Sequence, residues 1–133
     1  MVTKISLRNV QRALRLSAVL LAVGLPLGLY FGGAQPVAVG LIPSPYDKLV
    51  HAGVFAVMAG AIGYASGLRR WPMLLLAWLG AVAVGVLDEW HQISLPGRNA
   101  SMDDLTADAV GAAIGALALL ARDRTKAWLL KHH

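Results

Sequence analysis

The sequence has no cysteine, which excludes a disulfide, a thiolate metal site and a cysteine nucleophile. Charge is sparse as well. Asp, Glu, Lys and Arg make up 14% of the chain, against about a quarter in soluble domains. Acids are the scarcer sign, seven in 133 residues. There is no glycine-rich phosphate loop, no HExxH metal motif, no low-complexity segment and no internal repeat. What is present is 57% hydrophobic and arranged in long uncharged runs. The length fits one domain. A net charge of +5 would suggest nucleic acid for a soluble chain. Here the positions of the basic residues argue for membrane topology instead, and no nucleic-acid partner is expected.

Four apolar runs mark four candidate spans. Residues 1–15 form a basic arm, and Leu16 to Gly33 is then uncharged, a little short of the ~20 residues that cross a bilayer. Pro26 is expected to kink this span. Gly24, Gly28 and Gly32 share one face and predict close helix approach. A cleaved secretory leader ending near Gly32-Gly33-Ala34 is the rival reading, and the membrane-like remainder argues against it. Residues 34–46, with Pro36, Pro43 and Pro45, read as a loop. Further spans follow at about 47–67, 72–92 and 104–121, and then a basic tail, 122–133. Its last residues, His132 and His133, are expected to be disordered. The expected fold is all-α, a polytopic membrane protein of four transmembrane helices in two helical hairpins.

Charge placement predicts orientation. Lys4, Arg8, Arg12, Arg15, Arg69, Arg70, Arg122, Arg124, Lys126 and Lys131 lie at one level. The positive-inside rule makes that level cytoplasmic, with both termini. The opposite level keeps Lys48 and Arg98 against Asp47, Asp88, Glu89, Asp103, Asp104 and Asp108. A single surface-lying amphipathic helix is a poor alternative, because no segment has the strong polar face it needs.

Polar groups at membrane depth are expensive, so this acidic level is where function is sought. Ser44-Pro45-Tyr46-Asp47 and Ser101-Met102-Asp103-Asp104 both read as helix starts, with Ser as N-cap. Capping accounts in part for Asp47, Asp103 and Asp104. It does not account for Asp88 and Glu89, which face the negative end of a helix dipole, and Glu89 is the stronger site candidate of the two. Asp108 lies one turn below its helix start, too deep to cap. Asp47 and His51 share a face, as do Glu89 and Gln92, and Asp104 and Asp108. Gly111 with Gly115, and Gly63 with Gly67, form GxxxG patterns that favour helix packing. Arg98, after Pro96-Gly97, suits a carboxylate or a phosphate; an ion pair with Glu89 or Asp104 is the alternative. Lys48 either joins the cluster or snorkels to headgroups. His91 points away from Glu89 and Gln92 and is read as peripheral. Trp71, Trp78, Trp90 and Trp128 fit interfacial anchoring or packing.

Taken in order, these residues resemble the VanZ-like family of bacterial integral membrane proteins. The resemblance rests on Asp47-Lys48-Leu49-Val50-His51 with Phe55, then Glu89-Trp90-His91-Gln92, Leu95-Pro96-Gly97-Arg98, Ser101, Asp104-Leu105, and Gly111 through Gly115. It covers residues 44–118. One departure is Asp108, where the family usually has Asn. The resemblance implies a multi-pass protein of the bacterial cytoplasmic membrane and an association with teicoplanin resistance. It carries no biochemical activity to this chain. The phosphotransbutyrylase label of some members is at odds with a chain that has no nucleotide-type domain or phosphate loop.

Three functions fit the residues. The favoured one is a non-enzymatic envelope protein whose outer pocket binds a lipid headgroup or a cell-wall precursor. That pocket consists of Asp47, Lys48, His51, Glu89, Gln92, Arg98, Asp104 and Asp108. The second is a hydrolase or transferase acting on a lipid-linked envelope substrate. His51 is then general base, oriented by Asp47 or Glu89, and Arg98 stabilises negative charge. A metal variant of it uses His51, Glu89, Asp104 and Asp108. The third is a proton-coupled transporter, for which four spans are few and a dimer is required. No cofactor or bound metal is expected. The lipid bilayer is an expected partner, and a homo-oligomer stays open.

Overall fold

A computed structural model describes residues 2–132, with side chains from Ser6 onward. Met1 and His133, and the side chain of Lys4, lie outside the described residues. Four helices account for most of the chain: α1 (Val2–Gly33), α2 (Tyr46–Ser66), α3 (Arg70–Ile93) and α4 (Met102–Lys131). A single 3-10 turn, Pro36–Ala38, interrupts the long first loop. Among the described residues there is no strand. Each of the four helices is long and apolar enough to cross a membrane.

The helices differ from the expected spans chiefly in length. The basic arm and the basic tail are not separate segments. Arg8 to Arg15 continue as α1, and Arg122 to Lys131 continue as α4. The apolar runs mark only the parts that suit hydrocarbon. Helix hydrogen bonding extends beyond them because the flanking residues are good helix formers. His132 follows α4 directly, and its ring lies 4.8 Å from that of Trp128.

The two hairpins form as expected, with α2 central. It packs on α1, α3 and most extensively on α4, whereas α1 touches α3 only lightly. The ends of α1 and α3 therefore meet the starts of α2 and α4 at one end of the bundle, here called the acidic end. At the other, basic end, Arg15 Nε donates to Ala65 O at 3.3 Å. The Arg122 guanidinium lies 5.0 Å from the Tyr64 ring centre.

The core is made of small side chains. Phe55 and Met58 are its bulk, set among Ala59, Ala77, Ala81, Ala112 and Ala116. Small residues let backbones approach where hydrocarbon supplies little drive for helix association. Gly111 and Gly115 are the extreme case. A Cβ on either would overlap the α2 backbone, at Ala52 O for Gly111 and at Ala56 O for Gly115. This GxxxG pair is thus a backbone-to-backbone seam between α4 and α2. Gly63 also packs tightly, with Leu119 Cδ2 at 2.8 Å from a built Cβ. Its expected partner Gly67 serves elsewhere, closing α2 in a left-handed conformation at φ 70°. The expected packing face on α1 is not used within the chain. Gly24, Gly28 and Gly32 have nothing within 4 Å of a built Cβ.

Alanine at Gly111 or Gly115 forces α2 and α4 apart and is expected to cost about 1–3 kcal/mol of stability. Gly28→Ala leaves stability unchanged or slightly raised. Thermal unfolding of the three variants in one detergent checks this ordering.

Candidate functional site at the acidic end

Helix α4 starts as its sequence suggests. Ser101 is the N-cap, and its Oγ accepts from Asp104 N at 3.2 Å. In a local capping box the Asp104 carboxylate would turn back to Ser101 N–H. Here that donor belongs to another helix: Ser101 N donates to Glu89 Oε2 at 2.6 Å. Glu89 thereby finds a partner that offsets its unfavourable place near the end of α3. Asp104 is left free for Lys48.

Helix α2 starts differently from expectation. Pro45 is its N-cap, and no side chain caps it. Ser44 lies outside, and Asp47 N is satisfied by Pro43 O at 3.3 Å. The backbone of the proline-rich loop takes the role assigned to the Ser44 hydroxyl. Asp47 is on the first turn of α2 and pairs with Lys48, whose Nζ donates to Asp47 Oδ2 at 2.8 Å. The same ammonium bridges across to Asp104 Oδ1. Lys48 thus joins the cluster and ties α2 to α4.

One turn deeper, His51 Nδ1 lies 2.8 Å from Asp108 Oδ1. Asp108 is fully buried, and its Oδ2 has no partner. That oxygen faces Gly85 of α3, where a Cβ would approach to 2.9 Å. Three helices therefore meet at this carboxyl. The sequence suggests Asp47 or Glu89 as the group that orients His51, but the geometry gives it Asp108. Sharing a face with Asp47 does not put the two within hydrogen-bond reach, because Lys48 holds Asp47.

Two further expectations change. Gln92 shares a face with Glu89, yet its Nε2 donates to Asp88 Oδ2 at 2.9 Å. Asp88 is buried at 8% exposure and belongs among the polar groups of this end. Its four-residue spacing to Gln92 is the signal in the sequence that could have found it. Arg98 forms no salt bridge among the described residues. Its Nη2 donates instead to Gly33 O at 3.0 Å, at the negative end of the α1 dipole. His91 stacks on Tyr30 with ring centres 4.0 Å apart, so it is part of the α1–α3 contact. Tyr30 carries no motif signal. Trp78 serves packing, its Nε1 donating to Ala109 O at 3.0 Å. Asp103, Trp71, Trp90 and Trp128 are exposed.

The cluster is therefore a set of pairs rather than one convergent centre. Among the described residues, no group of three or more His, Asp and Glu is gathered to hold a metal ion. The metal set of His51, Glu89, Asp104 and Asp108 is divided between an imidazole–carboxyl contact, a backbone N–H and an ammonium. Among the described residues, four buried polar atoms keep no partner: Asp47 Oδ1, Glu89 Oε1, Arg98 Nε and Asp108 Oδ2.

The residues that build this end fall within a stretch that known proteins share. The family model described as VanZ/LLP1 matches residues 9–123. The chain belongs to the VanZ/LLP1 family. No curated protein and no solved structure matches it. The matched stretch takes in α2, α3 and most of α1 and α4, so the first span is part of this VanZ/LLP1 chain's family region together with the three that carry the polar residues. It is a VanZ-like membrane protein.

Lys48 and Asp104 act as one unit, so their substitutions are not additive. A double-mutant cycle with Lys48→Met and Asp104→Leu is expected to give a coupling of about 0.5–3 kcal/mol. Lys48→Met leaves both Asp47 and Asp104 without their cation, Asp104→Leu leaves Lys48 with Asp47 alone, and the double variant recovers the part of the loss that comes from Asp104. Chemical unfolding in mixed micelles measures it.

Proposed function

We propose that the acidic end faces outward from the cytoplasmic membrane and binds the polar headgroup of an envelope amphiphile, a lipid or a cell-wall precursor. The supporting observation is the set of half-satisfied groups near the bundle end. Asp47 Oδ1 and Glu89 Oε1 are buried acceptors without donors, and Arg98 Nε is a buried donor without an acceptor. Native proteins rarely leave such groups unmatched. Two acceptors and a guanidinium suit a headgroup that carries both an ammonium or hydroxyl and an anionic oxygen. The outward orientation is supported by the basic arm, the Arg69-Arg70 turn and the basic tail, all at the opposite end. A role in teicoplanin resistance belongs to this reading as what the family resemblance implies.

One contact favours a second reading, a membrane hydrolase or transferase acting on a lipid-linked envelope substrate. Asp108 at His51 Nδ1 is the arrangement that orients an imidazole to act as a base through its other nitrogen. The deep burial of Asp108 fits a positioning role there.

Photoreactive analogues of membrane lipids and of lipid-linked cell-wall precursors distinguish these readings. Under the binding reading, labelling falls from the wild-type level by at least about tenfold in Asp47→Asn/Arg98→Ala, which removes one charged acceptor and one charged donor for the headgroup. Labelling equal to wild type in a folded variant counts against it. Turnover of a labelled precursor, abolished by His51→Gln, supports the enzyme instead.

A further inference from the structure

We propose that the basic end carries a binding site for an anionic phospholipid, with the phosphate held between the start of α3 and the tail of α4. A cleft of about 640 Å³ lies there. Its polar lining is Arg69, Arg70, Arg124 and Lys126, with Asp123 as the one acid. Among the described residues, none of these charged groups forms a salt bridge. Other arginines of this end are committed elsewhere. Arg15 donates to Ala65 O near the end of α2, and Arg122 lies over Tyr64. The four lining cations therefore serve no internal contact of this kind, although they converge on one cavity.

The cleft also has a hydrocarbon side. Leu74 lies one turn along α3 from Arg70 and Leu120 one turn before Arg124 on α4, both toward the middle of the bundle, and Trp71 also lines the cleft. Trp71 is 73% exposed, as an interfacial anchor would be. The N-terminus of α3 opens into the same space. Arg69 is its N-cap and its guanidinium cannot accept a hydrogen bond, so the N–H groups of Arg70 and Trp71 have no side-chain cap and can meet an anion, while Pro72 contributes none. Cations and helix N–H groups at the rim, with leucines below, match a phosphate that carries acyl chains better than a free anion. Basic pockets between membrane helices bind anionic headgroups by this combination. The site is at the other end of the bundle from the proposed headgroup site and does not depend on it.

Native mass spectrometry of the full chain in a mild detergent tests the proposal, with titration of phosphatidylglycerol against phosphatidylcholine. The wild type is expected to bind phosphatidylglycerol in preference. Arg69→Gln/Arg124→Gln should weaken that binding by about fivefold per arginine. Arg8→Gln/Arg12→Gln removes the same charge from the exposed arm of α1 and should leave it unchanged. Arg69→Gln and Arg124→Gln are also measured singly, so that a double variant that fails to fold does not remove the test. No lipid preference in the wild type, or equal loss in the cleft and arm variants, overturns the proposal. Displacement of bound lipid by millimolar inorganic phosphate would make this a free-anion site and overturn the lipid assignment.

Discussion

The separation of α2 and α4 governs the rest of the molecule. Gly111 and Gly115 let α4 approach until its backbone touches the carbonyls of Ala52 and Ala56. The two helices run in the same direction, and both begin at the acidic end. Their register is therefore repeated turn by turn. Lys48 meets Asp104, His51 meets Asp108, and Gly111 and Gly115 then meet Ala52 and Ala56. Side chains as short as Asp can span such a gap only because the glycines beneath remove any Cβ from it. Packing of small residues and pairing of charged ones are thus one arrangement.

This arrangement also explains how so much polarity is kept in a small membrane bundle. An uncompensated charge near hydrocarbon is costly, and each buried group here has at least one partner from another turn or another helix. Glu89 replaces Asp104 in the cap of α4, Asp104 holds Lys48, and Lys48 neutralises Asp47. Arg98 and Arg15 attach to carbonyls at the ends of α1 and α2, where the helix dipole favours a cation. Helix α1, which contributes least to the core, is tied near its middle by Arg15 and at its C-terminal end by Arg98.

The four spans, the Ser101 cap and the Gly111–Gly115 seam were legible in the sequence because each depends on local spacing. Partner choice was not. Asp47 and His51 share a face, as do Glu89 and Gln92, but a shared face does not reveal which neighbour on another helix competes for each group. Lys48 takes Asp47 and Asp104, so His51 is left with Asp108, and Ser101 takes Glu89, so Gln92 is left with Asp88. Ser44 fails as a cap because the carbonyl of Pro43 already satisfies the amide of Asp47. The glycines of α1 follow the same pattern of spacing as those of α4 yet face open space, since pattern alone does not choose a partner helix.

The α2–α4 register brings Lys48 between Asp47 and Asp104. Solid-state NMR of the labelled chain in lipid bilayers tests it through nitrogen–carbon distances from Lys48 Nζ. Through-space correlations are expected from that ammonium to the carboxyl carbons of both Asp47 and Asp104. A Lys48 Nζ that correlates with lipid phosphorus and with neither carboxyl would contradict it.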